Sequence, residues 1–256
     1  MTISRPSVEH DPDVVTAAAI GVVAFVGAML VHEGLGHAGA CVALGGRAIV
    51  FPVWTQTSVQ KPAIVAAGPL ANLLFGGIAL AFVSRTHSAQ DHLRYFAWLT
   101  AAFNLLNLTG YATLGAATGF GDWGVVLTAA HAQGFVRLAV ALVAGAAYYG
   151  SLRILAAVGA RYLTASTGWR WTVPPYVAAG IVACVATAMS GQGRPVMLVA
   201  VAASFGAGIG LPVLHDWGRR AAVTDPAALA RHGGWLLASA IATVAFVWIG
   251  RGLSVP

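Results

Sequence analysis

Charge divides this chain into long silent stretches. Residues 14–31, 62–84, 95–121, 172–193, 195–214 and 233–250 contain no Asp, Glu, Lys or Arg, and residues 138–158 carry only Arg153. A helix rises about 1.5 Å per residue, so about 20 residues cross a ~30 Å hydrocarbon layer. The pattern predicts an all-α polytopic membrane protein with six to seven transmembrane helices. Composition closes the other routes. Only 9% of residues are charged and 58% are hydrophobic, whereas a soluble domain carries about 25% charged residues. A disordered chain needs the opposite balance.

The formal net charge is +6. The arginines stand singly between apolar runs, which suits lipid headgroups and topology rather than nucleic acid. The expected partner is therefore the bilayer, with no nucleic acid. Cys41 and Cys184 lie inside apolar segments and imply no disulfide framework. Residues 1–13 read as a polar tail carrying Glu9, Asp11 and Asp13. A secretory signal has a basic start and a cleavage site, so the first apolar segment reads as a retained helix.

That first segment extends to about residue 44, and its last third is polar. Residues 45–61, GGRAIVFPVWTQTSVQK, are β-branched and aromatic after a Gly-Gly turn. They are too short and too polar to span. A re-entrant, strand-like loop is expected, its backbone covered by protein. The stretch TGYATLGAATGFGDW at the end of the third segment is rich enough in glycine to break or distort a helix. Of the fourteen basic residues, nine fall on the side of the N-terminus if the spans simply alternate. The positive-inside rule then puts the N-terminus in the cytoplasm.

Eight acids are available for chemistry, and six lie in the tail or in polar connections. Glu33 and Asp122 remain, within or at the edge of apolar segments, where ionisable groups are costly and usually functional. Glu33 stands in VHEGLGHAGA between His32 and His37. The segment is similar to the HExxH signature of zinc metalloproteases, in which two histidines on one helix face bind the metal and the glutamate is the base. Here the spacing is HExxxH. Five residues of regular α-helix turn about 500°, leaving the imidazoles about 140° apart. A π-bulge would restore a common face, and Gly34 and Gly36 permit one. Alternatively Glu33 and His37, four apart, are both ligands and His32 is not. Otherwise these residues form a polar helix end that bonds to neighbouring helices.

A catalytic zinc takes three protein ligands and keeps one position open. Asp122, in GFGDWGVV, is the outstanding third ligand, although an aspartate there also suits a helix cap. His131 and Cys41 are weaker candidates, better read as a solvated helix end and a small buried residue.

Taken in order, VHEGLGHA, AAGPLANLLFG (residues 66–76) and FNLLNLTGY followed by GFGDW (residues 103–123) resemble the three motifs of the site-2 protease family of intramembrane zinc metalloproteases. The likeness covers residues 14–131, a metalloprotease-like three-helix core, and leaves residues 132–256 as additional transmembrane helices. It implies that His32, His37 and Asp122 hold Zn2+, that Glu33 activates water, and that Asn72 and Asn104 contact substrate. It also implies a site near the cytoplasmic face, opposite to the face that the arginine count indicates. The departures are the extra residue in HExxxH, the missing proline after Asn104, Trp123 in place of glycine, and the longer approach to Asp122. The resemblance implies an intramembrane protease in the cell membrane that acts on membrane-anchored protein substrates. A proteolytically inactive metal-binding scaffold or regulator of the same fold is the alternative, favoured by the inserted residue. A proton- or ion-coupled transporter would need a polar path across the whole membrane, and the last four apolar segments carry little that is polar.

Overall fold

In the computed structural model, residues 11–86, 90–163, 167–218 and 227–256 are described. His87, Arg219, Arg220, Asp225 and the first ten residues of the tail lie outside them. The chain is mostly helical. Asp13 caps α1 (Val14–Met29), its carboxylate accepting from Thr16 N at 2.7 Å. The helix continues as a π-helix over Leu30–Ala38 and returns to α geometry in α2 (Gly39–Ala43). β1 (Ala48–Val50) and β2 (Thr55–Thr57) form an antiparallel hairpin where the re-entrant strand-like loop was expected.

Next come α3 (Pro62–Arg85), entered through a proline in its first turn, and α4 (Asp91–Thr118). After these follow α5 (Gly121–Ala129), α6 (Gly134–Val158) and α7 (Gly168–Met189). α8 (Arg194–Val201) and α9 (Gly210–Gly218) are joined by a second π segment, Ala202–Gly206, and a 3-10 turn. The described chain closes with α10 (Gly233–Ile249) and β3 (Leu253–Val255). β3 pairs with the outer side of β1, giving a three-stranded sheet of order β2-β1-β3. The sequence reading contains no counterpart to this last strand.

Among the described residues, five helices are long and apolar enough to cross a membrane: Val14–Ala43, Pro62–Arg85, Gly134–Val158, Gly168–Met189 and Arg194–Trp217. Together with the composition they mark a membrane protein. The sequence reading expects six to seven, and two further helices account for the difference. α10 has 17 residues, short for a full crossing. α4 is long, but Asn104, Asn107 and its threonines make it too polar for lipid. It is instead wrapped by the bundle, with Trp98, Leu99, Asn104 and Leu106 almost wholly buried. A helix that meets only protein needs no apolar surface all round. α4 also runs unbroken through the glycine-rich stretch. Gly110 lies against Ala207 and Gly115 against the Phe120 carbonyl, so these glycines permit close packing, and the helix stops only at Gly119, in the left-handed region.

Residues 14–131 and residues 132–256 share one hydrophobic core. α1 packs against α4, α7 and α10, and Pro175 of α7 rests on Gly21 of α1 where no side chain would fit. Outward-facing Leu70, Leu73, Leu74 and Ile78 of α3, and Leu138, Leu142 and Val143 of α6, supply the apolar surface that lipid requires.

Candidate metal centre

The π segment decides the geometry. Its extra residue per turn brings His32 and His37 onto one face, with their Nε2 atoms 3.1 Å apart. Asp122 reaches both: Oδ2 lies 3.0 Å from His32 Nε2, and Oδ1 lies 3.5 Å from His37 Nε2. A cation bound at about 2.1 Å in tetrahedral geometry keeps its ligand atoms about 3.4 Å apart. The two Nε2 atoms and the two oxygens of the Asp122 carboxylate, 3.0–3.5 Å apart across the site, stand close to that spacing. Ligand atoms of His32, Glu33 and His37 all lie within 4.8 Å of one another, so this cluster could hold a metal ion.

Asp122 arrives by a double glycine turn. Gly119 and Gly121 both have positive φ, 77° and 70°, and between them the chain reverses from α4 into α5. Phe120 occupies the N-cap of α5 and makes no side-chain capping bond. Asp122, in the first turn, therefore does not cap its helix and turns to the two imidazoles.

The outer ring nitrogens set the tautomers. His37 Nδ1 lies 2.8 Å from the Ile64 carbonyl, which can only accept. The proton sits on Nδ1, and Nε2 presents its lone pair to the shared centre, as a metal ligand must. His32 Nδ1 is 3.0 Å from Asn72 Nδ2, while Asn72 Oδ1 is buried without a partner. The two ends of an amide are isosteric. With this one turned over, Oδ1 accepts from Nδ1–H and His32 too presents a bare Nε2. The orphaned oxygen fits a metal-bound His32.

Glu33 is buried, and its Oε2 accepts a hydrogen bond from Thr55 Oγ1 at 2.9 Å. Thr55 opens β2, so the hairpin fixes the carboxylate. The four groups open onto a cavity of about 410 Å3 also lined by Gln56, Thr57, Asn107, Tyr111 and Val199. Among the described lining residues there is no Lys or Arg. Buried Glu33 and part-buried Asp122 share a site in which only the two imidazoles could balance their charge, and poorly balanced carboxylates there are costly. A divalent cation would balance them.

α3 crosses the π segment at Gly68. A Cβ on Gly36 would stand 2.5 Å from Gly68 Cα, and one on Gly68 would stand 2.5 Å from His37 Nε2 and 2.8 Å from His32 Nε2. Glycine at both positions lets the two backbones meet beside the imidazoles.

Compared with known proteins, the chain matches no family model, and no curated protein or solved structure matches it.

The structure thus gathers His32, Glu33, His37 and Asp122. It does not bring the two asparagines into the cavity. Asn72 is fully buried behind His32, where an amide orients the ring and cannot reach a substrate. Asn104 is equally buried, donating to the Thr100 carbonyl and packing on Gly76. Cys41 points to the Arg47 carbonyl, and exposed His131 ends α5; neither lines the cavity. Thr55, Asn107, Tyr111 and Gly68 are the residues that sequence reasoning missed. The second glycine of GxGH and the first of GPLAN carry a faint signal of close packing; the other three carry none.

Proposed function

We propose that this chain is an intramembrane zinc metalloprotease, similar to the site-2 protease family, that hydrolyses peptide bonds within or near transmembrane segments of membrane-anchored proteins. One observation carries the reading: two imidazoles and a carboxylate at tetrahedral ligand spacing, with a second carboxylate beside them, facing a cavity in a membrane protein. Two His and one Asp, with a fourth position left open, is a donor set suited to zinc. When bound, zinc supplies a Lewis acid that acidifies water and polarises a carbonyl.

His32, His37 and Asp122 would hold the ion. Glu33 takes a proton from the attacking water as the new C–O bond forms. It passes that proton to the amide nitrogen as the C–N bond breaks, leaving a carboxylic acid and an amine. Thr55 keeps the Glu33 carboxylate aimed while it cycles between charged and neutral forms. A transmembrane helix hides its carbonyls in its own hydrogen bonds, so the substrate must unwind locally. β2 is a free edge of the sheet, and Thr55, Gln56 and Thr57 line the cavity. An extended segment can add to that edge through main-chain hydrogen bonds. The protein would be a multi-pass component of the cell membrane. The inserted residue of HExxxH favoured an inactive scaffold, and its absorption in the π segment removes that support.

The test uses the full chain in lipid nanodiscs with single-span reporter substrates. Glu33→Gln should abolish cleavage while zinc content stays at one ion per chain. Cleavage that survives Glu33→Gln, or a purified protein that takes up no zinc, would end the proposal.

A further inference from the structure

Two polar side chains on α4 face the cavity with nothing to bond to. Asn107 is 6% exposed and Tyr111 is 9% exposed, and both line the cavity beside Glu33 and Asp122. Among the described residues neither side chain forms a hydrogen bond. Their polar atoms are not sealed in the packing either, unlike those of Asn72 and Asn104. A buried phenol or amide normally finds a partner. Here the partner must come from the cavity.

Their placement is built. The two lie four residues apart, one above the other on a single face of α4. The Tyr111 ring is seated on Gly121, where an added Cβ would stand 2.5 Å from Cε1 and 3.0 Å from Cζ. That contact fixes the phenol end of the ring against the residue that precedes Asp122. Behind it, Tyr111 packs on Ala203 of the second π segment and Ala207 of the 3-10 turn that follows. The ring is held on both sides and its hydroxyl is left free.

Zinc when bound would polarise the substrate's carbonyl, and what the reading still lacks is a protein donor to that oxygen. As the carbonyl carbon is attacked, its oxygen gains negative charge, and donors fixed in a water-poor site are worth most there. The lining holds two acids that repel such charge and no Lys or Arg to stabilise it. We infer that Tyr111 donates a hydrogen bond from its hydroxyl to the scissile carbonyl oxygen as it becomes an oxyanion, and that the Asn107 amide binds the adjoining substrate backbone. Tyr111 is then a catalytic residue that keeps its proton throughout. This rests on the protease reading.

The experiment measures binding to the zinc-loaded full chain in nanodiscs, by calorimetry, with two probes of identical sequence. One is a peptide amide and the other its phosphinic counterpart, whose tetrahedral oxygens mimic the oxyanion. The Glu33→Gln background prevents cleavage of the amide. Tyr111→Phe keeps the ring on Gly121 and removes only the hydroxyl. Its phosphinic affinity should fall about 100- to 1,000-fold, the usual loss when one oxyanion donor is removed, with amide affinity within threefold of the parent. Asn107→Leu should weaken both probes alike. If Tyr111→Phe leaves the preference for the phosphinic peptide unchanged, the inference about Tyr111 falls and the protease reading stands. If the parent protein with zinc bound takes neither probe, the protease reading fails and the inference fails with it.

Discussion

A single methyl group that touches no ligand of its own should dismantle the metal centre. Gly68→Ala places a Cβ 2.5 Å from His37 Nε2, 2.6 Å from His37 Cε1 and 2.8 Å from His32 Nε2. Ordinary contact begins at 3.4 Å, so about 0.9 Å must be found by moving an imidazole or the α3 backbone. The rings have little slack. His37 is tied to the Ile64 carbonyl and His32 to Asn72. A retreat of α3 would pull apart the close crossing of Gly36 and Gly68 and forfeit its packing. A metal site tolerates about ±0.2 Å in its ligand distances. The displacement exceeds that tolerance several-fold, so the loss should reach or pass the 10- to 100-fold typical of residues that orient ligands. That is about 1.4–2.8 kcal/mol of binding. Zinc affinity would be read by competition against a chelating fluorophore, and bound zinc by mass spectrometry. Gly77→Ala on the same helix is the control. Nothing lies within 4 Å of its Cβ, and alanine favours helix over glycine by about 1 kcal/mol. Its zinc affinity should equal the parent's. If Gly68→Ala folds and binds zinc within threefold of the parent, then the two imidazoles do not face the metal where Gly68 meets them.

The remaining expectations concern the carboxylates. Thr55→Val removes the hydroxyl that holds Glu33 Oε2; a hydrogen bond to a charged group is worth about 1.5–3 kcal/mol. Cleavage should drop about 10- to 100-fold with zinc content unchanged, and a variant that lost zinc instead would place Thr55 among the supports of the metal. Stripping zinc with a chelator leaves Glu33 and Asp122 with only the two imidazoles to balance them in a cavity that lacks Lys and Arg among its described lining residues. The melting temperature should then rise with added zinc, by about 2.7 kcal/mol of stability at one hundred times Kd. A melting curve indifferent to zinc would contradict the role given to the ion.

Periodicity carried the sequence reading as far as one helix at a time. A metal shared by His32 and His37, one of the readings that the spacing allows, requires a helix with one residue too many, and Leu30–Ala38 is that helix. Asp122 emerged because few acids lie in apolar surroundings, and a lone buried charge needs a reason. What could not be read was lateral. Thr55 meets Glu33 only because a hairpin folds back across 22 residues, and Tyr111 sits in the site against Gly121, in the positive-φ turn that brings Asp122 back. Neither has a local pattern. The asparagines show the converse error: a motif position marks a residue as constrained, but Asn72 is constrained by an imidazole behind it and Asn104 by the packing of α3 on α4. α4 was counted among the spans because it carries no charge after Arg94. Its amides and hydroxyls suit a helix enclosed by other helices, and burial by neighbours is invisible in a linear pattern. β3 is three residues long, below the length at which alternation says anything.

The π segment also makes the insertion testable by its removal. If one extra residue is absorbed between His32 and His37, excising one should return the segment to α geometry without turning the helix beyond it. Leu35 is the residue to remove. It is 62% exposed, so little packing is lost, and it lies between Glu33 and His37 without altering the His32–Glu33 step. The two histidines would then stand four apart, on one face of a regular helix. α2 and the hairpin should keep their register, because a π-bulge is an insertion whose downstream face is already compensated. The shortened protein should bind zinc within tenfold of the parent and retain Glu33-dependent cleavage. Inserting an alanine at the same place adds a second uncompensated residue and should abolish binding. The opposite pattern, in which the deletion loses zinc from a folded protein, would mean that the π segment shapes the site in its own right and does not merely absorb one residue.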